Sequence, residues 1–186
     1  MFNYNNYSIR PIELNDKERL LQWRNSDKVR CNMYTDHIIS EEEHNLWFSN
    51  ALAHKPSPYL IFLYKEKPVG YISFTNITTL KEHCYMGFYL GETNIPLGLG
   101  AIMEFFVLDY AFLTLKIRKL CCEVFTFNPG VIKLHENFGF IHEGKFTEHY
   151  LKNDKYEDIA CLAKFRSSWL QGREEFKMRL FGQSGD

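Results

Sequence analysis

No part of this 186-residue sequence is apolar for long enough to cross a bilayer, and its opening, MFNYNNYSIR, is too polar for a signal peptide. The expectation is a cytoplasmic protein with no membrane partner. An excess of charge is also missing. The formal net charge is -1, so nucleic acid is not an expected partner. Metal-ligand spacing is absent as well. Cys31, Cys84, Cys121, Cys122 and Cys161 form no CxxC or Cys/His set. No metal is expected. Most of these thiols lie in apolar runs, as buried free thiols of a reducing compartment do. The P-loop pattern, GxxxxGK followed by Ser or Thr, does not occur. No long βαβ unit with a distal acidic residue marks a dinucleotide fold. Repeats and linkers are lacking too, so residues 1–186 are read as one domain.

What the chain does have is a large apolar inventory. Apolar residues make up 45% and aromatics 16%, enough for a sizeable core. Tyr7–Leu14 alternates as a half-buried strand does. A helix is expected from Asn15, with Glu18 completing a capping box and Leu20, Leu21 and Trp23 on its apolar side. Arg24 to Asp27 ends it, and Val29, Met33 and Tyr34 follow in a loop or a loose turn. Ser40 heads a second helix with Glu43 at its third position. His44, Trp47, Phe48 and Ala51 share one face of it, and Pro56 and Pro58 stop it. Tyr59–Tyr64 and Val69–Ile77 form a hairpin about KEKP, and Cys84–Leu90 adds a strand. A helix from about Gly98 to Phe112 buries Ile102, Phe105, Phe106 and Phe112. Leu120–Phe127, nearly all apolar apart from Glu123, reads as a central strand. A short helix over Pro129–Asn137 has proline in its first turn, and Gly139 breaks it. Lys145–Leu151 and Tyr156–Phe165 make a closing hairpin about Asn153-Asp154. A short helical pattern follows Trp169, and GQSGD is expected to fray. The fold class is α/β (α+β).

The stretch His83–Phe140 carries the chemistry. In Gly98-Leu99-Gly100, two glycines let the backbone approach a ligand, and the next helix offers free N–H groups and a positive dipole end. That suits a pyrophosphate. A plain tight connection has the same signature.

The neighbouring motifs add a resemblance. Gly87-Phe88-Tyr89-Leu90, Gly98-Leu99-Gly100, Asp109-Tyr110-Ala111-Phe112, Asn128, Leu134-His135-Glu136-Asn137-Phe138-Gly139-Phe140 and Glu143-Gly144 together resemble the GCN5-related N-acetyltransferase (GNAT) superfamily, in its ribosomal-protein-acetyltransferase-like branch. The resemblance implies a mixed, mostly antiparallel sheet splayed in the middle, with helices on both faces. It implies acetyl-coenzyme A as cosubstrate, bound by residues 83–140. Main-chain groups of Phe88, Tyr89 and Leu90 would hold the pantetheine arm. Amides of Leu97, Gly98, Leu99, Gly100 and Ala101 would hold the pyrophosphate, and Asn128 would fix the arm near the thioester. Three departures bear on affinity: Ile95 replaces the usual Arg or Gln, Pro96 the first loop glycine, and Val131 a small residue.

The first third carries a second resemblance. Trp23-Arg24-Asn25, Val29-Arg30, Met33-Tyr34, Glu43-His44 and Trp47-Phe48 look like the acetyltransferases that modify UDP-linked 4-amino-4,6-dideoxy sugars in pseudaminic acid synthesis, a route to flagellin and surface glycans. By that resemblance Arg24, Met33, Tyr34, His44, Trp47 and Tyr85 line the pocket of a UDP-aminosugar, a small-molecule partner. Aromatic and thioether groups can stack on a base, and an arginine can fork onto a phosphate or carbonyl. Trp23, Met33 and Trp47 also fit ordinary helix packing.

Acetyl transfer needs a neutral amine, a destination for its proton and a proton for the leaving thiolate. Glu123 is the expected base, acting through water; pairing with a nearby cation is the bland alternative. His135 stands where relatives carry a tyrosine acid. It lies seven residues, two turns, after Asn128, on the same helix face. A protein N-terminal or ribosomal-protein acetyltransferase and a non-catalytic acyl-coenzyme A binder remain as alternatives. Within the C-terminal tail, 166–186, the stretch from Trp169 to Phe181 is either a homodimer element or nothing of the kind.

Overall fold

The computed structural model describes residues 1–54 and 58–182. Seven strands are β1 (Tyr7–Pro11), β2 (Tyr59–Tyr64), β3 (Lys67–Thr75), β4 (His83–Leu90), β5 (Lys119–Phe125), β6 (Ile141–Lys152) and β7 (Lys155–Phe165). They form one sheet in the order β1-β2-β3-β4-β5-β7-β6. The β4–β5 ladder is parallel, while β1–β2, β2–β3, β5–β7 and β6–β7 are antiparallel. The chain groups into two compact units. The N-terminal unit comprises Asn5–Phe74 and Gly87–Leu97; the C-terminal unit comprises Met1–Tyr4, Thr75–Met86 and the chain from Gly98 onward.

The N-terminal unit carries α1 (Lys17–Asn25), α2 (Asp27–Arg30) and α3 (Glu41–Ala53). Its core gathers Ile12, Leu20, Trp23, Phe48, Ala51, Ile61 and Tyr71. The expected Asn15 cap is not how α1 begins. A 3-10 turn over Leu14–Asp16 comes first, because Asp16 serves tertiary partners. Its fully buried carboxylate accepts from Arg10 at 2.6 and 2.9 Å and from the Glu13 N–H at 2.9 Å. Burial pushes this carboxyl's pKa up, but Arg10, the Glu13 N–H and Arg19 together outweigh it and the pKa falls below the usual range. Where a loop or a loose turn was expected, Asp27–Arg30 closes one helical turn that buries Val29. Ser40 caps α3 as expected, its hydroxyl accepting from the Glu43 N–H at 3.2 Å. Pro56, an expected helix stop, lies outside the described residues.

The C-terminal unit carries α4 (Leu99–Asp109), α5 (Pro129–Asn137) and α6 (Arg166–Phe181). Gly98, at φ +89, starts α4 in a conformation that favours glycine, and an added Cβ would come within 2.9 Å of the Phe2 ring. A single π turn over Tyr110–Thr114 ends the α4 segment. Asn153 and Asp154 both take positive φ, 50° and 59°, as a two-residue hairpin turn demands. The tail is more than a short pattern. Trp169 is fully buried, and its indole N–H donates to Asp109 at 3.0 Å. Arg173 forks onto the same carboxylate at 2.7 Å twice, docking α6 on α4. Of GQSGD, residues 183–186 lie outside the described residues. Among the described residues no helix is long and apolar enough to cross a membrane.

Candidate functional site

The β4–β5 ladder joins His83, Cys84 and Tyr85 to Lys119, Leu120 and Cys121. It stops there, although β4 runs to Leu90 and β5 to Phe125. β5 stays paired with β7 to its end. One edge of β5 is therefore covered throughout, and main-chain groups on the other lack a β4 partner beyond Cys121.

Strand alternation sends Lys119, Cys121 and Glu123 to one face of β5, and Leu120, Cys122 and Val124 to the other. The first face lines a cavity of about 380 Å³ in the C-terminal unit, with Tyr85, Glu143, Phe146 and Cys161 among its other walls. Tyr85 and Glu123, far apart in sequence, meet in this cavity. Glu123 is half-buried. Burial, then the neighbouring Cys121 and Glu123, raise the Tyr85 hydroxyl's pKa. Lys119 Nζ lies 2.6 Å from Glu143 Oε2, and that hydrogen bond is the main reason the Lys119 pKa rises. Burial pushes the Cys121 and Cys161 thiols up, which keeps them protonated.

His135 belongs to the other face. It is 3% exposed, and its Nδ1 lies 3.1 Å from Oε2 of the fully buried Glu104 on α4. Cys122 also interacts with the ring. Burial alone would lower the imidazole pKa; Glu104, then Cys122, outweigh it and raise it to about 10. That environment favours the charged form of the ring. Asn128 caps α5, its side-chain oxygen accepting from the Val131 N–H at 3.4 Å. At the start of α4, Ala101 and Ile102 donate to the Gly98 carbonyl, so the first helical amides are those of Leu99 and Gly100.

The N-terminal unit holds the other expected residues. Arg24 donates through Nη2 to the Thr35 carbonyl. Its Nη1 is buried and has no hydrogen-bond partner among the described residues. Burial lowers the guanidinium's pKa, with Tyr89 and Glu43 opposing. Trp47 is half-buried, its ring 5.5 Å from His44, 5.8 Å from Tyr59 and 6.1 Å from Tyr71. Tyr71 lies 5.3 Å from Tyr89. His44 is buried, its Nε2 2.8 Å from the Lys17 carbonyl, so it braces α3 against the start of α1. Met33, Tyr34, Phe88 and Leu90 are half-buried, and Leu97 is exposed.

Residues 7–141 match the acetyltransferase (GNAT) domain family. The chain belongs to the GNAT acetyltransferase family. It is 32% identical over 130 residues to acetyltransferase PseH of Campylobacter jejuni, a match covering 69% of this chain and 80% of that protein. PseH of a second Campylobacter jejuni strain is 33% identical over 132 residues, with the same coverage. Among solved structures, the chain is similar to spermidine N-acetyltransferase from Vibrio cholerae in complex with CoA and spermine. The TM-score is 0.81 at 18% identity, over 89% of this chain and 99% of that one. At that identity the likeness bears on fold alone. As a GNAT member the protein is an N-acetyltransferase, and its mixed sheet is the one expected.

Motif reasoning missed several residues of this GNAT chain. Glu104 left a usable signal, the lone charge within AIMEFFVL. Lys119 and Glu143 left none, since they meet only across β7. Of the cysteines expected to be buried, Cys84, Cys121 and Cys122 are; Cys31 is exposed and Cys161 half-buried, and none is in a disulfide.

Proposed function

We propose that this acetyltransferase moves the acetyl group of acetyl-coenzyme A onto the 4-amino group of a UDP-linked 4-amino-4,6-dideoxy sugar, in the service of glycan synthesis. The observation that carries the acceptor is Arg24. A buried guanidinium nitrogen without a partner forfeits its hydration, and a phosphate or carbonyl oxygen would restore what it lacks. The aromatic set about Trp47 and Tyr89 suits a flat base. The similarity to PseH over most of both chains supports the same reading.

The coenzyme supplies the activated acetyl group. The first amides of α4, Leu99 and Gly100, with Gly98 before them, fit its pyrophosphate. Main-chain groups of Phe88, Tyr89 and Leu90, with Asn128, are the proposed holders of its arm, and Leu97 and Ala101 flank the phosphate turn. In the cavity Glu123 receives the amine's proton through water as nitrogen bonds to the carbonyl carbon. The C–S bond then breaks and the thiolate takes a proton from His135, which Glu104 keeps charged. Met33, Tyr34, His44 and Tyr85 complete the proposed acceptor set.

A thiol-release assay with acetyl-coenzyme A and a panel of UDP-linked 4-amino sugars tests this. Saturable release with such a sugar is expected, cut by about a hundredfold or more in Glu123→Gln. Release with peptides alone would point to a protein acetyltransferase. Coenzyme binding without release to any acceptor would point to a non-catalytic binder.

A further inference from the structure

One charged pair in the cavity has no part in the proton transfers. Lys119 opens β5, and Glu143 stands at the irregular step of β6 between His142 and Gly144. Their side chains are 23% and 35% exposed and touch at 2.6 Å. Two cations, Lys119 and Arg118, and two carboxylates, Glu123 and Glu143, line the cavity. With His83 neutral the wall carries no formal net charge. Arg118 in turn pairs with Glu82 outside it. Apart from the Tyr85 phenol and Gly144, the rest of the wall is thiol and hydrocarbon: Cys121, Cys122, Cys161, Leu162 and Phe146. A polycation finds two carboxylates already matched by two cations and loses hydration on entry. A neutral ring bearing one amine meets no such penalty. At about 380 Å³ the space is at the small end of ligand sites.

We propose that Lys119 and Glu143 are the acceptor-selecting pair of this cavity, presenting a donor and an acceptor side by side to a ring hydroxyl or amide. The thiol-and-leucine wall beside them takes a ring carbon that lacks oxygen. The selected class is a monoamine on a partly deoxygenated ring, and polyamines are refused. The proposal rests on the aminosugar reading above, but only on its ring and not on its nucleotide.

The test measures steady-state kinetics for the wild type, Lys119→Met and Glu143→Gln. Three acceptors are compared: a UDP-linked 4-amino-4,6-dideoxy sugar, the same sugar without its nucleotide, and spermidine. Each substitution is expected to raise KM for both sugars by about tenfold or more and to leave KM for acetyl-coenzyme A unchanged. The preference for sugar over spermidine should narrow. Glu143→Gln keeps shape and volume, so it carries the test should the Lys119 variant fold poorly. If the free sugar is accepted and depends on Lys119 while the nucleotide sugar is refused, the nucleotide reading fails and this proposal stands. Sugar KM values unmoved by both substitutions overturn the proposal. A wild type that ignores both sugars, or prefers spermidine, overturns it as well.

Discussion

Gly91 shows how much one hydrogen atom can decide. A Cβ at this position would come within 2.1 Å of the Trp23 ring. That ring is 5% exposed and its N–H donates to Glu92 at 3.1 Å, so it has little room to retreat. Gly91→Ala should therefore destabilise the protein by about 1–3 kcal/mol or more, seen as a lower midpoint in urea melts; an unchanged midpoint means the ring can yield. Arg24 follows Trp23 directly, so the tryptophan fixed by this contact also fixes the start of the proposed acceptor wall. At this scale the sequence was a partial guide. Glu123 stood out as the one charge in an apolar strand and Tyr85 through the family resemblance alone; that the two share a cavity shows only in the fold. The burial of His44 was not, since the helical period gives its face but not what covers it. Gly91 was not legible either, because its constraint comes from a ring far away in the chain.

Helices and strands were easier to foresee than their ends. Pro129–Asn137, with proline at its start, agrees with the structure, as does the Ser40 cap, because both signals are local. α1 begins late because Asp16 is engaged by Arg10, and α6 is longer than its apolar pattern because Asp109 anchors Trp169 and Arg173. Those are tertiary causes. The contact of α4 with α5 rests partly on Glu104 and His135. An imidazole whose pKa is raised from 6.5 to about 10 contributes stability that is complete below pH 6.5 and is lost as pH climbs through about 10. Thermal melts at stepped pH should show the wild type losing stability across that window, and His135→Gln losing less. The same variant separates brace from acid. A large fall in kcat with KM for acetyl-coenzyme A unchanged supports proton donation; near-normal turnover removes His135 from the chemistry.

For the molecule as a whole, the family match over residues 7–141 passes through both compact units, and we propose that the chain works as one domain. Acetyl-coenzyme A at a hundred times its Kd should then stabilise the fold by about 2.7 kcal/mol, read as a rise in Tm; no rise at saturating coenzyme counts against the proposed amide cradle. The three tryptophans add a convenience for such work. Trp23 and Trp47 belong to the N-terminal unit, whereas Trp169, wholly enclosed, belongs to the C-terminal one. Replacing the first pair or the last with phenylalanine would leave emission from a single unit. Fluorescence could then tell which half of the enzyme loosens first.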